Sequence, residues 1–482
     1  MKKLLPLIYT ILTSILLFNG CSQSPAIYQA QGHPPLSRSI KKAIDKSGIA
    51  PNLGVKVVSL ESGKTLYQLN SDHLFTPASN NKIYSSVAAL HYLGTDYRFL
   101  TTVWIKRTEI YRPRVSALVL KGDGDPDLSL KSLDSLAAVI AGMISFIDTL
   151  IIDNTTLDST RWGEGWMWDE GDEWYAAQID AMSLNDNCID IDIAPDSTGL
   201  PPRILINPPT GYVTVFNQAV TVNDTTDLQD LSVRRRWWER SNNLEITGEL
   251  LVNAERDTLF RNIDQPARFT GQVFREMLTR HGVTVTGPTV ITGIPEGYAV
   301  IANHVSEPLP AVVKNFLKVS DNLTGELLVK TIGMLQTGQQ GNWRNGLTAV
   351  KIFLSNEVGI DTTGIRIADG SGVSRYNLTS PDQLIKALTY AYHNENFNQV
   401  FLDALPIAGV DGTLEERMQA DEVREKILAK TGTLSGASSL SGFAFSRRGE
   451  PLVFSIMMNG YVGASRPYRR LQDEIGKILA TY

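Results

Sequence analysis

Cysteine is nearly absent. The 482 residues hold two, Cys21 and Cys188, too few for a fold stapled by disulfides. Six histidines are scattered without a His-Glu-x-x-His pair or a Cys/His cluster, which argues against a zinc hydrolase, and neither metal nor other cofactor is expected. A basic excess is missing too. The formal charge is −6, and loss of the first 20 residues would remove Lys2 and Lys3 but no acid, which argues against a nucleic-acid partner. Fixed-period repeats and low-complexity tracts are lacking, and 43% hydrophobic with 20% charged residues excludes a disordered chain. This length exceeds what one core usually holds, so two or three domains are expected.

The apolar run Leu4 to Phe18 follows Lys2 and Lys3 and is short for a membrane span. Residues 1–20 therefore read as an export signal. Gly20-Cys21 resembles the end of a bacterial lipoprotein signal, in which Cys21 becomes the lipidated N-terminus; cleavage a few residues later by ordinary signal peptidase is the alternative. The expected location is periplasmic, on a membrane through that lipid. Cys188, left without a partner, reads as a buried small hydrophobe. The Ser/Pro/Gln/Gly-rich stretch within residues 21–38 reads as a tether.

Order is expected from Ser39, with a short helix to Ile49, strands over Leu53 to Leu60 and Thr65 to Leu69, and a helix from Ser79 through Leu90. The C-terminal end mirrors this pattern, with strands over Leu440 to Phe445 and Leu452 to Met458 and a helix over Pro467 to Leu479. Between them, residues 97–304 are strand-rich and broken by turns such as Gly122-Asp123-Gly124-Asp125-Pro126. Trp162, Trp166, Trp168, Trp174, Trp237 and Trp238 fall there and read as core of that region rather than as a sugar-stacking platform. Helical periodicity returns at Leu309 to Leu335, Gly346 to Leu354 and Pro381 to His393. The expected class is α+β: an antiparallel sheet packed between helices, formed by 39–96 plus 305–482 and split by a large, mainly β insertion, 97–304.

Three short motifs carry chemistry. In Ser79-Asn80-Asn81-Lys82, residues three apart share a helix face, so the lysine amine can take the serine proton if burial and a nearby cation lower its pKa. Ser39-Ile40-Lys41-Lys42 has the same spacing, so this motif alone decides nothing. Ser320-Asp321-Asn322 places three polar residues in an apolar helical stretch, where they need partners or a cleft. Lys430-Thr431-Gly432-Thr433 precedes a C-terminal hairpin, with Gly432 allowing a ligand close to the backbone. The order has more force than any one motif. Ser-x-x-Lys, Ser-x-Asn and Lys-Thr-Gly succeed one another at intervals of about 240 and about 110 residues.

In that order the motifs resemble those of serine β-lactamases and penicillin-binding proteins, and the long first interval matches an insertion. The chain is similar to the class C low-molecular-mass penicillin-binding proteins, the D-alanyl-D-alanine carboxypeptidase/endopeptidase family. The likeness extends to Asp369-Gly370-Ser371-Gly372-Val373-Ser374-Arg375, to Leu405–Leu414 and to Trp166-Met167-Trp168-Asp169. It implies a transpeptidase-like, serine β-lactamase-like fold and hydrolysis of peptidoglycan stem peptides and cross-links through an acyl-enzyme, inhibited by β-lactams. Ser79 would be the nucleophile, Lys82 the base, Ser320 the proton relay and Asn322 a substrate or lysine contact. Lys430 would be a positive charge attracting the terminal carboxylate, and the amides of Ser79 and Thr433 the oxyanion hole. Thr431, Gly432, Thr433, Arg375 and Asp169 would bind substrate, with Glu170 and Asp172 as rivals to Asp169. A β-lactamase and a non-catalytic wall-binding protein are the alternatives on this fold.

Overall fold

The computed structural model describes residues 31–32, 34–49, 51–224 and 226–482. The signal segment and Cys21 lie outside the described residues.

Both ends of the chain build one antiparallel sheet. Its six strands run in the order Gln31–Gly32, Thr65–Leu69, Asn52–Ser59, Pro451–Asn459, Ala437–Phe445 and Ile427–Leu434. The central strand Pro451–Asn459 is apolar without alternation because helices cover both faces. Phe454, Ile456 and Met458 pack with the helices Pro34–Ser47 and Arg466–Thr481, whereas Val453 and Met457 join a second core with Lys82–Leu93 and Pro381–His393. Each such fully buried side chain contributes about 1.5–3 kcal/mol. The first helix starts at Pro34, ahead of the expected Ser39, since prolines are tolerated in a first turn. Leu36 and Ile40 face the sheet, while Ser39 and Lys42 are exposed, so the second Ser-x-x-Lys spacing is a solvated surface.

Where the chain leaves this sheet, Leu100 pairs opposite Val305, so the intervening segment begins and ends side by side. That geometry lets some 200 residues be inserted without parting the flanking helices. The segment holds a five-stranded sheet in the order Thr289–Ile291, Leu150–Asp153, Leu118–Lys121, Leu100–Lys106, Tyr298–Val305, and smaller sheets beyond it. It also contains two helices that the strand-rich reading passed over, Leu130–Ala141 and Pro266–Arg280. Leu133, Leu136, Ala137 and Ile140 give the first its buried face. Cys188 is buried, as expected.

The core of this segment is mainly aliphatic, with Val103, Leu120, Leu150, Ile152 and Ile191 beside Phe269 and Phe274, and holds no tryptophan. The expected tryptophan core is therefore not formed: Trp168 is 73% and Trp238 55% exposed, and Trp162 and Trp174 are exposed too.

The apolar stretch from Leu309 is two helices, Leu309–Lys318 and Asn322–Thr337. Ser320 stands between them with left-handed backbone (φ 65°), a conformation that costs a non-glycine residue on the order of 1 kcal/mol. The polar triplet thus sits at a break, not inside a helix.

Candidate active site

Ala78, also left-handed (φ 50°), opens a short 3₁₀ turn over Ala78–Asn81 that feeds the helix Lys82–Leu93. Ile83, Val87 and Leu90 fix that helix in the core and leave Ser79 at its mouth, partly exposed. Lys82 is fully buried. Its Nζ donates to Ser79 Oγ (3.1 Å), Asn322 Oδ1 (2.6 Å) and the Ser371 carbonyl (2.8 Å). Burial lowers its pKa to about 8 against the opposing pull of Asp321, Asp369 and Glu326. A neutral amine in contact with the serine hydroxyl is thus accessible near neutral pH.

Asn322 opens the helix that follows the break. Its Nδ2 donates to the Tyr175 carbonyl (2.7 Å), which turns its oxygen to Lys82. Asp321 caps the same helix through the amides of Leu323 and Thr324. Just upstream, Lys318 Nζ binds both carboxylate oxygens of Asp411 at 2.7 Å and the Leu405 carbonyl at 2.6 Å. The Leu405–Leu414 segment therefore anchors the backbone that presents Ser320.

Ile427–Leu434 is the edge strand of the sheet and lies against the turn that carries Ser79. Asn80 Nδ2 donates to the Lys430 carbonyl (2.9 Å). A Cβ at Gly432 would stand 2.7 Å from Pro77 O, 3.0 Å from Ser79 N and 2.2 Å from Ser439 Oγ. Gly432 thus makes room for that turn, where the approach of a ligand was expected. Thr431 Oγ1 donates to Thr413 Oγ1 (2.8 Å), and Thr433 is exposed.

Lys430 follows on the same strand. It is fully buried, its Nζ donates only to its neighbour's carbonyl, Thr431 O (3.0 Å), and burial with the nearby Lys82 drives its pKa well below the usual lysine value.

A cavity of about 430 Å³ opens over these groups, lined by Ser79, Ser320, Asn322, Arg375 and Thr433 from the motif-bearing segments. Lys82 and Lys430 lie beneath it. Glu170, Trp174 and Tyr175 of the inserted segment close one side. Asp169 does not line it and is exposed, while Asp172 is held by Arg234 (2.8 and 2.9 Å). The acid facing Ser79 across the cavity is Glu170, whose pKa is raised mainly by burial and lowered by Arg375. Arg375 Nη1 donates to Ser435 O (2.8 Å), joining its loop to the end of the edge strand.

Sequence reasoning missed the groups beneath Lys82. Glu326 is fully buried and accepts from the amides of Gly370 and Ser371 (2.8 Å each) and from Trp343 Nε1 (2.6 Å). Burial, and then Asp369, push its pKa well above the usual carboxylate range. Asp369 accepts from the amides of Gly372 and Ser374, from Asn377 and from Trp166 Nε1. Asn81 Nδ2 donates to the Asp369 carbonyl (2.8 Å). Together they hold the Ser371 carbonyl on Lys82. A glutamate amid Leu323, Leu327 and Leu328 was the available signal.

A serine poised on a buried lysine, with a second serine, an asparagine and an edge strand around one cleft, defines a serine acyl hydrolase of the penicillin-binding fold. The description of the D-Ala-D-Ala carboxypeptidase 3 (S13) family matches residues 36–482, and the chain belongs to that family. It is 35% identical to the D-alanyl-D-alanine carboxypeptidase of Actinomadura sp. (strain R39), over 89% of this chain and 81% of that protein. With D-alanyl-D-alanine carboxypeptidase DacB of Haemophilus influenzae it shares 27% identity over 85% of this chain and 86% of that protein. The crystal structure of penicillin binding protein 4 from H. influenzae superposes with a TM-score of 0.81 at 24% identity, covering 92% of this chain and 99% of that one. A structure of that protein complexed with a β-lactam gives a TM-score of 0.73, also at 24% identity, covering 92% of this chain and 100% of that one.

Proposed function

We propose that this protein is an extracytoplasmic serine D-alanyl-D-alanine carboxypeptidase that also cleaves D,D cross-links of peptidoglycan, both through one site. The observation that carries the reading is the contact of Lys82 Nζ with Ser79 Oγ in a cleft bordered by Ser320, Asn322 and Thr433.

Ser79 Oγ attacks the carbonyl of the penultimate D-alanine as neutral Lys82 takes its proton. Ser320, lining the same cavity, passes a proton to the departing amine, and D-alanine leaves. Water then hydrolyses the acyl-enzyme. The amides of Ser79 and Thr433 receive the oxyanion, and the free edge of Ile427–Leu434 takes the peptide in β fashion. The terminal carboxylate favours the ammonium form of Lys430 as it arrives, which in turn favours neutral Lys82. Arg375 and Glu170 contact the remote part of the stem peptide, the second replacing Asp169 in that part. Residues 97–304, an inserted unit between the two parts of the catalytic domain, shape access for a polymeric substrate.

Among the described residues no helix is long and apolar enough to cross a membrane. Attachment instead falls to Cys21 as a lipidated N-terminus. Release of D-alanine from an acylated peptide ending in D-Ala-D-Ala, and cleavage of cross-linked muropeptide dimers, should both disappear in Ser79→Ala. Activity persisting in that variant would overturn the reading. Nitrocefin turnover faster than peptide turnover would move the protein to the β-lactamases.

A further inference from the structure

Behind the turn that carries Glu170 lies a second cavity, of about 540 Å³, whose lining includes Arg161, Arg235, Arg240, Trp237, Trp238 and Asp264. Three guanidinium groups face one carboxylate there. Asp264 is already engaged, its oxygens accepting from Gln178 (2.6 Å) and Gln265 (3.2 Å). Arg235 is 1% exposed, and its terminal nitrogens donate to the carbonyls of Ser241 and Gly171 and to Asn262 Oδ1, all neutral acceptors. Its Nε has no hydrogen-bond partner; Nε of Arg161 has none either, but it stands in an ion pair with Asp180 Oδ2 at 3.6 Å. Arg240 is exposed at the mouth of the cavity. Buried donors without partners are costly, and cationic ones more so, which marks a site completed by an anion.

The walls specify what else the anion carries. Trp237 and Trp238 meet edge to face at 6.1 Å, and Trp238 keeps more than half of its surface in solvent. Exposed indole faces beside fixed guanidinium groups suit a ring with a C–H face and a carboxylate, the first stacking and the second taking N–H donors. Trp237 also packs on Trp168 (4.7 Å) and on Gly171, so a single turn separates this cavity from the catalytic one.

We propose that this cavity binds a carboxylated sugar of the wall glycan, holding a strand beside the catalytic cleft. The inference rests on the proposed action on peptidoglycan for the identity of the polymer.

The test uses the full mature chain carrying Ser79→Ala and glycan strands stripped of stem peptides, so that their lactyl carboxylates are free. Binding is followed by tryptophan fluorescence and by calorimetry. Trp238→Ala and Arg240→Gln, both at exposed positions, should each raise Kd by at least about tenfold. Amidation of the strand carboxylates should weaken binding equally. In the Ser79 background the same two variants should be acylated by penicillin at the unaltered rate. Binding unchanged by both variants, or equal for strands with and without free carboxylates, would overturn the site. Loss of penicillin acylation in protein with Ser79 intact would instead count against the catalytic reading, independently of glycan binding.

Discussion

Lys82 meets three acceptors with one amine, an arrangement that a protonated nitrogen satisfies fully and that burial resists. In the proposed mechanism Lys82 acts as base only once deprotonated. The acylation rate of the free enzyme should therefore climb with pH and level off above about 8, falling tenfold per unit on the acid side. Lys82→Ala should slow acylation by about 10²–10⁴-fold and flatten that limb; a limb that survives the substitution would assign it elsewhere. Glu326 acts one step further back, through the Gly370 and Ser371 amides. Glu326→Gln presents an amide nitrogen to one of those N–H groups, so stability should drop by about 2 kcal/mol in denaturant melts, with slower acylation in the protein that remains folded. The nucleophile, its lysine and the serine and asparagine of the second motif were legible because motif order constrains them jointly. Which acid faces the cleft was not: Asp169 and Glu170 are adjacent, and the short 3₁₀ turn Trp168–Glu170 decides which one points inward.

At the scale of elements, the site depends on an edge strand pressed against a strained turn. Gly432 has no space for a side chain beside Pro77 and Ser79. Gly432→Ala should keep the circular dichroism spectrum while pushing the strand off the nucleophile turn, with acylation slowed on the order of 10²-fold. Full activity in that variant would show that the close approach is dispensable. The strands around this site were readable from their apolar runs and turns. The break at Ser320 was not, since Leu309 to Leu335 keeps helical periodicity across it; there Ser320 takes left-handed backbone, Asp321 caps the next helix and Lys318 is tied to Asp411. The helices of the inserted segment, Leu130–Ala141 and Pro266–Arg280, escaped notice because each lies among strands whose turns dominate the local pattern.

For the whole molecule, the paired entry and exit at Leu100 and Val305 keep the catalytic core continuous while the inserted segment lends Glu170, Trp174 and Tyr175 to its cleft. Arg375→Ala should therefore impair peptide cleavage more than penicillin acylation, because penicillin lacks the remote contacts; equal loss for both would place Arg375 in the chemistry itself. Cys21→Ser should move the protein from the membrane to the soluble fraction, since the acyl chains of a lipoprotein hold where one chain would not. An unchanged distribution would dismiss the anchor. The most direct measurement is mass spectrometry of the protein after reaction with penicillin, whose tethered leaving group hinders deacylation. The account predicts one stoichiometric adduct on the tryptic peptide containing Ser79, absent from Ser79→Ala. An adduct on any other residue, or labelling that survives that substitution, would contradict it.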